Sequence, residues 1–366
     1  MCFLKVRRLV HAVRSSTTFG YSSDIGAGLL VKNANPLIIR CAFWHNKASE
    51  IGGAIYFEPS PSNPVFTIIN SDFIDNTGDG IRRGGAMYNV GGQPAFSNCS
   101  FSSNKVEIDG GAIYNDDGTP TFINCAFAGN FVDDGLGAGI FSTPGGEAFL
   151  TNCIFWENHG GSGTITEQQI YGPATAEYCC IEVGAGAPYT GEGNISSNPL
   201  LRGSPNWNDL DDDTRLLPNS PCIDKGNPDQ TLIPDDDFDI DNDGIFAEKI
   251  DLDLELRIVG PVVDMGAYEF YACVGDIIEN GVVDIDDFLA LLMAWGPCLD
   301  CPPSCAADLD DDCNVGITDF LLLLANWGCG EPYPDSFPES GQECIDRYWP
   351  DLGRVATCIT ALNLMP

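Results

Sequence analysis

The sequence predicts a mainly β protein, a parallel β-helix of stacked coils followed by a small C-terminal α-helical module. Two repeats carry this prediction. The first runs through the first half of the chain with a period of about 28 residues, which lies in the range of solenoid repeats. The second has a period of 32 and lies within residues 271–330. Between the repeated phrases of the first half, the segments are short, β-prone and punctuated by Gly, Asn, Asp and Pro, which is typical of strands and turns.

The first repeat contains two phrases in fixed order. Gly-Gly-Ala-hydrophobic-aromatic occurs at 52–56, 84–88 and 110–114, with a looser copy at 137–141. Asn-Cys-x-Phe-x-x-Asn occurs at 98–104, 124–130 and 152–158, with variants at 40–46 and 70–76. The phenylalanines stand at 43, 73, 101, 127 and 155, so the steps are 30, 28, 26 and 28. Repeats of this length form stacked units that cannot bury their apolar faces singly.

Superposed units place like residues on like, as a parallel β-helix requires. Within each unit Cys and Phe lie two apart and share one strand face, as do Cys125 and Phe127. The glycine pairs predict tight corners or close strand approach. The recurring asparagines predict left-handed bends whose amides hydrogen-bond along the stack; they are Asn70, Asn98, Asn124 and Asn152. Inward cysteines that point in parallel have poor disulfide geometry, so we expect Cys99, Cys125 and Cys153 to be unpaired.

These phrases resemble the repeats of polymorphic outer-membrane proteins and other right-handed parallel β-helix proteins with a pectate-lyase-like fold. The resemblance covers about residues 30–160. Later runs at 178–181, 191–201, 216–226 and 264–270 look like the last coils of related bacterial β-helix proteins. The resemblance is specific for the fold and says little about activity.

Composition restricts the partners. The formal net charge is −36 and only 17 residues are Lys or Arg, so we expect no nucleic-acid partner. The carboxylates suit divalent cations such as calcium, although most of them are expected only to keep a secreted protein soluble. No stretch is long and apolar enough to span a membrane.

The cysteines predict the compartment. Eight of the 16 cysteines fall at or after Cys273, a density typical of an oxidised, extracytoplasmic scaffold, so we expect a secreted or cell-surface protein. Residues 1–14 carry basic side chains but no following apolar region of a secretion signal. We expect that the sequence begins late and that its signal is missing; a cytoplasmic protein is the alternative.

Catalytic residues are hard to find on the β-helix. A loose column of acids precedes the glycine pairs, with basic candidates nearby; they are Glu50, Asp79, Asp109, Asp133, Asp134, Arg82, Arg83 and Lys105. Their drifting spacing favours solvated turns over a cluster for acid and base work. The three histidines are scattered. Trp44 and Trp156 occupy one repeat position and could stack on sugars, but packing against a neighbouring turn is the favoured interpretation.

The acidic segment 206–270 contains a candidate calcium loop. Asp239, Asp241 and Asp243 alternate and are followed by a glycine, which is how calcium loops open. The twelfth position from Asp239 is Ile250, so Glu248 or Asp251 would have to complete the shell. An acidic surface loop without metal is the alternative.

The second repeat predicts a pair of calcium loops. Asp276, Asp287, Trp295 and Gly296 recur as Asp308, Asp319, Trp327 and Gly328, and each 12-residue acidic loop precedes an apolar helix, expected at 286–295 and 318–327. The second loop offers oxygen ligands at alternate positions: Asp308, Asp310, Asp312, the Asn314 carbonyl and Asp319. The first offers Asp276, Asn280, the Val282 carbonyl, Asp284 and Asp287. Such oxygen-only sets suit a hard cation.

This doublet resembles a type I dockerin, two F-hand-like calcium loops each followed by a helix, as in secreted proteins of planctomycete-like bacteria. Two departures matter. Ile278 replaces the usual polar third ligand of the first loop, which should bind more weakly. Cys313 replaces the sixth-position glycine of the second and must adopt a left-handed conformation. The resemblance implies attachment to a cohesin-like partner; docking onto the chain's own β-helix is the alternative.

Cysteines bracket each copy of the doublet. We predict that Cys273 pairs with Cys298 and that Cys305 pairs with Cys329, closing each loop onto its own helix. A zinc site at Cys298, Cys301 and Cys305 lacks histidine support. The region 344–358 is expected to be a small helix, closed by a disulfide.

The sequence thus divides into an atypical and disordered start (1–25), the β-helix (26–205), its acidic irregular end (206–270), the doublet (271–330) and a cysteine-containing tail (331–366). The predicted function is adhesion or polysaccharide contact without catalysis, attached through calcium. The alternatives are an extracellular polysaccharide lyase or glycoside hydrolase, and a structural surface-layer component.

Overall fold

The computed structural model describes residues 3–6, 17–18, 21–22, 26–60, 65–77, 83–161, 163–184, 187–203, 213–229, 231, 249–253, 256–271, 273–298, 305–310 and 313–329. Residues 1–331 form one compact unit and residues 332–366 a second. The described part of the first unit is a solenoid of short parallel strands, followed by two helices.

Three parallel sheets form the walls of the solenoid. Sheet A has twelve strands: β1 (Phe3–Val6), β2 (Thr17–Thr18), β5 (Pro36–Ile39), β6 (Ala42–Trp44), β9 (Val65–Ile74), β11 (Gln93–Ser102), β14 (Thr121–Ile123), β15 (Ala126–Ala128), β18 (Ala148–Thr151), β19 (Ile154–Trp156), β22 (Ala174–Glu177) and β23 (Cys180–Ile181). Sheet B has six: β4 (Leu29–Lys32), β8 (Ile55–Glu58), β10 (Met87–Val90), β13 (Ile113–Asp116), β17 (Ile140–Ser142) and β21 (Ile170–Tyr171). Sheet C has three: β12 (Lys105–Val106), β16 (Phe131–Val132) and β20 (His159–Gly160). The pairing is parallel throughout, except that β1 runs antiparallel to β5.

The remaining elements are short. β3 (Tyr21–Ser22) pairs with β7 (Lys47–Ala48), and β24 (Gly296–Pro297) pairs with β25 (Asn314–Val315). The helices are α1 (Ile165–Gln169), α2 (Ile285–Met293) and α3 (Ile317–Ala325). Strands β1, β2 and β3 lie within residues 1–25, for which the sequence predicts disorder, and pair with the first coils.

The predicted phenylalanine column is confirmed. Phe101 pairs in register with Phe73 on one side and Phe127 on the other, and the ring centroids are 4.8 and 4.5 Å apart with nearly parallel planes. All three side chains are fully buried. Because a strand spacing of about 4.8 Å equals the stacking distance of aromatic rings, each coil fills its interior with the same residue as its neighbour.

The predicted asparagine ladder is also confirmed. Asn98 has a φ of 49°, and its side-chain amide donates to the Asn70 carbonyl oxygen at 3.0 Å. A second ladder, formed by the last Asn of each phrase, lies at another bend, where Asn104 donates to Asn130 at 2.9 Å and accepts from Asn76 at 2.8 Å. The sequence shows this column plainly, but its role was not predicted. Both ladders are buried, and within them each side-chain amide finds hydrogen-bond partners in the coils above and below.

The glycine pairs have the two predicted roles. Gly84 has a φ of 68°, in the left-handed region, where the chain turns into β10. A Cβ added at Gly85 would lie 2.4 Å from the carbonyl oxygen of Gly111 in the next coil. The first glycine therefore makes the corner and the second permits close approach of successive coils.

The described residues of the acidic segment, 213–229, 231, 249–253 and 256–270, lie across the outer face of sheet A and are here called the covering segment. Asn70 and Asn98 donate their amides to the backbone oxygens of Asp251 and Ile250, each at 2.6 Å. Further along, Tyr268 packs on Ala126. The covering segment thus contacts successive coils from β5 to β23 and buries small side chains that point outward from sheet A.

Arg215 joins the separate parts of the covering segment. Arg215 is largely buried, contacts both carboxylate oxygens of Asp253 and bonds Asp213 at 3.0 Å. Its guanidinium lies 4.4 Å from the centroid of the Tyr268 ring. Burial lowers the pKa of Arg215, but Tyr268 and the carboxylates outweigh burial and raise it well above its usual value. This charge therefore stays paired inside the covering segment.

Candidate metal centre

Three carboxylates of the second loop, residues 308–319, converge. One oxygen each from Asp308, Asp310 and Asp319 lie within 4.8 Å of one another. Asp308 and Asp319 are buried, and Asp310 is exposed. No other group of three or more His, Cys, Asp or Glu side chains converges in this way among the described residues.

Helix α3 and the loop backbone position these groups. Asp319 lies in the first turn of α3; its Oδ1 accepts the N–H groups of Leu309 and Asp310 at 2.7 and 3.3 Å, and its Oδ2 accepts that of Gly316 at 2.6 Å. Burial raises the pKa of Asp319, but these N–H donors outweigh burial, and the net pKa is lowered. The carboxylate is therefore held ionised, which a metal ligand requires.

The sixth position of the second loop has the conformation that the sequence predicts. Cys313 has a φ of 68°, and its N–H donates to Asp308 Oδ2 at 2.8 Å. At the equivalent position of the first loop, Gly281 has a φ of 82° and donates to Asp276 Oδ2, also at 2.8 Å. A non-glycine residue thus takes the strained turn, so the two loops share one backbone course.

The described part of the second loop fits a hard cation. Calcium binds oxygens at about 2.3–2.6 Å, so ligands around one ion lie up to about 5 Å apart. The separation of the three carboxylate oxygens, 4.8 Å or less, meets this limit. Asp312 lies outside the described residues, and Asn314 is an exposed residue on β25. Calcium itself remains a prediction.

The first loop, residues 276–287, repeats the backbone hydrogen bonds of the second loop. It does not repeat the converging carboxylates. Asp287 accepts the N–H groups of Ile277, Ile278 and Asp284 at 2.7, 3.1 and 2.9 Å. Asp284 instead caps helix α2 by accepting from Asp286 at 2.8 Å. The third position of this loop, Ile278, offers no side-chain oxygen.

The remaining predicted ligands of the first loop are engaged with the loop backbone. Asn280 Oδ1 accepts the Val282 N–H at 2.9 Å. Burial raises the pKa of Asp276, although the N–H groups of Gly281 and Asn280 oppose the shift. Among the described residues, the first loop therefore differs from the second in that its carboxylates do not converge on one point.

The first loop also contacts the solenoid. Arg202, which follows the last coil, donates Nη2–H to the Gly281 carbonyl at 2.7 Å and lies 3.5 Å from Asp213 of the covering segment. Sequence reasoning missed Arg202, because an isolated arginine in an irregular segment carries no positional signal. It places a positive charge at the rim of the first loop.

The two helices expose matching apolar residues. Helix α2 presents Ile285, Leu289 and Leu292, and α3 presents their counterparts in the second copy, Ile317, Leu321 and Leu324. Their exposed fractions range from 43 to 65%. On the opposite sides, Leu291 and Leu323 are fully buried. Both helices overlap the predicted ranges but begin one residue earlier and end two residues earlier. Beyond their C-caps, Trp295 and Trp327 are each followed by a glycine with positive φ, Gly296 and Gly328.

The predicted disulfide pairs are wrong. Cys273 bonds Cys329, and Cys298 bonds Cys305. The copies are interleaved, because the Val283 N–H donates to the Cys329 carbonyl at 3.0 Å and the Gly328 N–H donates to the Val283 carbonyl at 2.9 Å. This brings the end of the second copy against the first loop and places its cysteine beside Cys273. The bond between Cys298 and Cys305 leaves neither of these two sulfurs as a zinc thiolate, and Cys301 lies outside the described residues.

The acids of the solenoid are distributed in ion pairs. Arg83 lies 3.6 Å from Asp109, and Lys105 lies 3.2 Å from Asp133. Trp156 packs against the cluster that contains Leu216, in agreement with the packing interpretation. Asp79 and Arg82 lie outside the described residues, as do Asp239, Asp241 and Asp243 of the candidate acidic loop and the cysteines at 344 and 358.

Comparison with known proteins supports the solenoid. Residues 27–198 match the family described as "Right handed beta helix region". This agrees with the coils in the structure, so that part of the chain is a right-handed parallel β-helix. No curated protein and no solved structure matches the chain. No helix in the described residues is long and apolar enough to cross a membrane.

Proposed function

We propose that this protein is a secreted or cell-surface β-helix protein that is attached through a calcium-binding, dockerin-like module, and that its solenoid contacts polysaccharide or another surface without catalysis. The observation that carries the proposal is the convergence of Asp308, Asp310 and Asp319 in a loop that precedes an amphipathic helix and belongs to a duplicated unit.

Calcium would hold the second loop together. Asp308 and Asp319 are buried within 4.8 Å of each other, and two like charges at that distance repel strongly where water is scarce. A bound divalent cation offsets this repulsion and fixes the start of α3. Binding should therefore stabilise the fold in proportion to the occupancy of the site.

The matching exposed faces of α2 and α3 support an attachment role. Six apolar side chains in equivalent positions of the two helices are exposed on a chain with a net charge of −36. A protein partner of the cohesin type fits this surface. Docking onto the β-helix is the competing arrangement, supported by the bond from Arg202 to Gly281, which lies in the first loop rather than on the helix faces.

A binding role for the solenoid is supported by how its acids are paired. Asp109 and Asp133 of the solenoid lie beside Arg83 and Lys105, and Asp213 and Asp253 pair with Arg215 within the covering segment. Part of the outward face of sheet A is covered as well; Ser100, for example, bonds Thr214 at 3.1 Å. A lyase or hydrolase would need accessible acid and base groups.

Calcium titration calorimetry on the EDTA-treated, re-dialysed full chain tests the metal. We expect binding that Asp319→Asn weakens at least tenfold. The matched variant Asp287→Asn, at the equivalent position of the first loop, should leave the tighter site intact. Absence of binding heat, together with a melting temperature that EDTA leaves unchanged, would refute the calcium assignment.

Incubation with uronate polymers and neutral glycans tests catalysis. We expect retention on an immobilised glycan or partner surface without new unsaturated or reducing ends. Robust turnover by the purified chain would overturn the non-catalytic assignment and favour a lyase or hydrolase. Self-assembly into ordered sheets without glycan binding would instead indicate a surface-layer component.

A further inference from the structure

Two cysteines outside the metal centre meet at the end of the solenoid. Cys180 lies on β23, the last strand of sheet A, and Cys222 lies in the covering segment. Both are fully buried, and they share an apolar cluster with Ile154, Leu216 and Met265. They come from separate segments of the chain, because the loop that follows β23 lies between them.

Both side chains are core members of that cluster. The Cys180 Sγ donates to the Ser197 carbonyl at 3.2 Å, and the neighbouring Cys222 side chain, followed by burial, raises the pKa of the Cys180 thiol. Both backbones are fixed: the Cys180 N–H donates to the Cys153 carbonyl at 2.8 Å, and the Cys222 carbonyl accepts the Met265 N–H at 3.2 Å. The contact therefore belongs to the folded architecture.

The geometry differs from that of the interior thiol column. Cys99, Cys125, Cys153 and Cys179 are successive members of that column, and side chains on parallel in-register strands point the same way, which disfavours a disulfide. Cys180 follows Cys179 on the strand and points to the opposite face. There it meets a side chain that approaches from a separate segment, as a disulfide requires.

The same chain is oxidised elsewhere. Cys273–Cys329 and Cys298–Cys305 are disulfides, so the described fold already contains bonded cysteine pairs. Cys180 and Cys222 are reduced in the structure and serve neither the metal centre nor the two asparagine ladders.

We propose that Cys180 and Cys222 are a disulfide site that ties the last coil of the β-helix to the covering segment. One Sγ–Sγ bond forms and two S–H bonds break. The two electrons pass to a disulfide oxidant, such as oxidised glutathione or an oxidoreductase disulfide, which takes up the two protons and leaves as two thiols.

Burial determines when this bond forms. The attacking species is the thiolate, and neither sulfur is accessible once the covering segment lies on β23. Oxidation therefore takes place during folding, before the covering segment closes over sheet A. A chain that folds reduced keeps both thiols protected until this region opens.

Peptide mapping of the full chain tests the site. The reduced, unfolded chain is refolded in a glutathione redox buffer until Cys273–Cys329 has formed, alkylated under denaturing conditions, and digested without reduction by trypsin and a glutamyl endopeptidase. Peptide 178–182 should be linked to peptide 216–225, with Cys99, Cys125 and Cys153 alkylated. Cys179→Ser should keep the link, and Cys180→Ser should abolish it.

Two results would overturn the proposal. One is full alkylation of both Cys180 and Cys222 in wild-type chains that already contain the Cys273–Cys329 bond. The other is a link from Cys222 to Cys179 that persists in Cys180→Ser. The peptide map of the wild-type chain tests the disulfide even if a serine variant fails to fold.

Discussion

Glu269 makes the stability of the covering segment depend on pH. Its side chain is 7% exposed, and Oε1 and Oε2 accept the backbone N–H groups of Val259 and Asp264 at 3.2 and 3.1 Å. Burial raises the pKa of Glu269 to about 8, against the favourable charge of Arg257 and with a further increase from Asp264. The folded protein therefore holds a proton on Glu269 where the unfolded chain has already lost it.

The sign and size of the effect follow by linkage. The stabilisation that comes from the proton on Glu269 is complete below the unfolded pKa of 4.5 and is lost as the pH rises toward about 8. Burial also raises the pKa of Asp264, to about 6, so its titration is largely over above about pH 6.5. Between about pH 6.5 and 7.5, Glu269 alone should then lower the free energy of unfolding by about 1.2 kcal/mol.

Substitution by glutamine removes this slope. In Glu269→Gln the side chain cannot titrate, while one of the two N–H groups loses its acceptor, which costs about 1 kcal/mol at every pH. Urea unfolding at several pH values, followed by far-ultraviolet circular dichroism, measures both effects. Glu50→Gln changes an exposed glutamate and should keep the wild-type slope.

The diagnostic quantity is the difference in slope between Glu269→Gln and the wild type. Equal slopes across this range would show that Glu269 is ionised in the folded protein, and the reasoning from burial would be refuted. A variant that is uniformly less stable but pH-dependent like the wild type leads to the same conclusion.

Three further predictions test the architecture. Phe101→Ala empties a fully buried position and should lower the free energy of unfolding by about 3–5 kcal/mol, whereas Phe149→Ala, 39% exposed on β18, should cost less than about 1 kcal/mol; equal losses in urea titrations would contradict the stacked core. Gly85→Ala places a Cβ 2.4 Å from a neighbouring carbonyl oxygen and should reduce the soluble folded yield, and normal yield and melting would show that the coils can separate at no cost. Arg202→Ala should raise hydrogen exchange at the first loop, around Gly281, with the second loop unchanged as the internal control; uniform protection would exclude the docking contact.

The repeats made the solenoid predictable in detail. A period with recurring columns fixes register as well as element type, because a shift of one residue would turn Phe101 outward and its neighbour inward. The same logic located the second loop, where Asp308, Asp310 and Asp319 converge as expected. Left-handed Cys313 could be anticipated because its counterpart is a glycine.

Features that arise between repeats were not predictable. The cysteine spacing described each copy of the doublet separately, whereas Cys273 bonds Cys329 because the two copies interleave. The covering segment has no period, so nothing in its sequence revealed that it lies on sheet A or that Arg215 is buried there. The meeting of Cys180 and Cys222 depends on the same packing and was missed for the same reason.

The covering segment changes how the solenoid would respond to a pulling force. A stack of coils held only by neighbour-to-neighbour contacts can peel from one end, one coil after another. Here the covering segment is bonded to Asn70 and Asn98 in neighbouring coils and to Asn152 two coils further along the axis. The last coil cannot lift away until these attachments release, so load applied at the C-terminal module is shared by most of the β-helix. A surface-anchored chain under shear would yield in one large event rather than in a series of small ones.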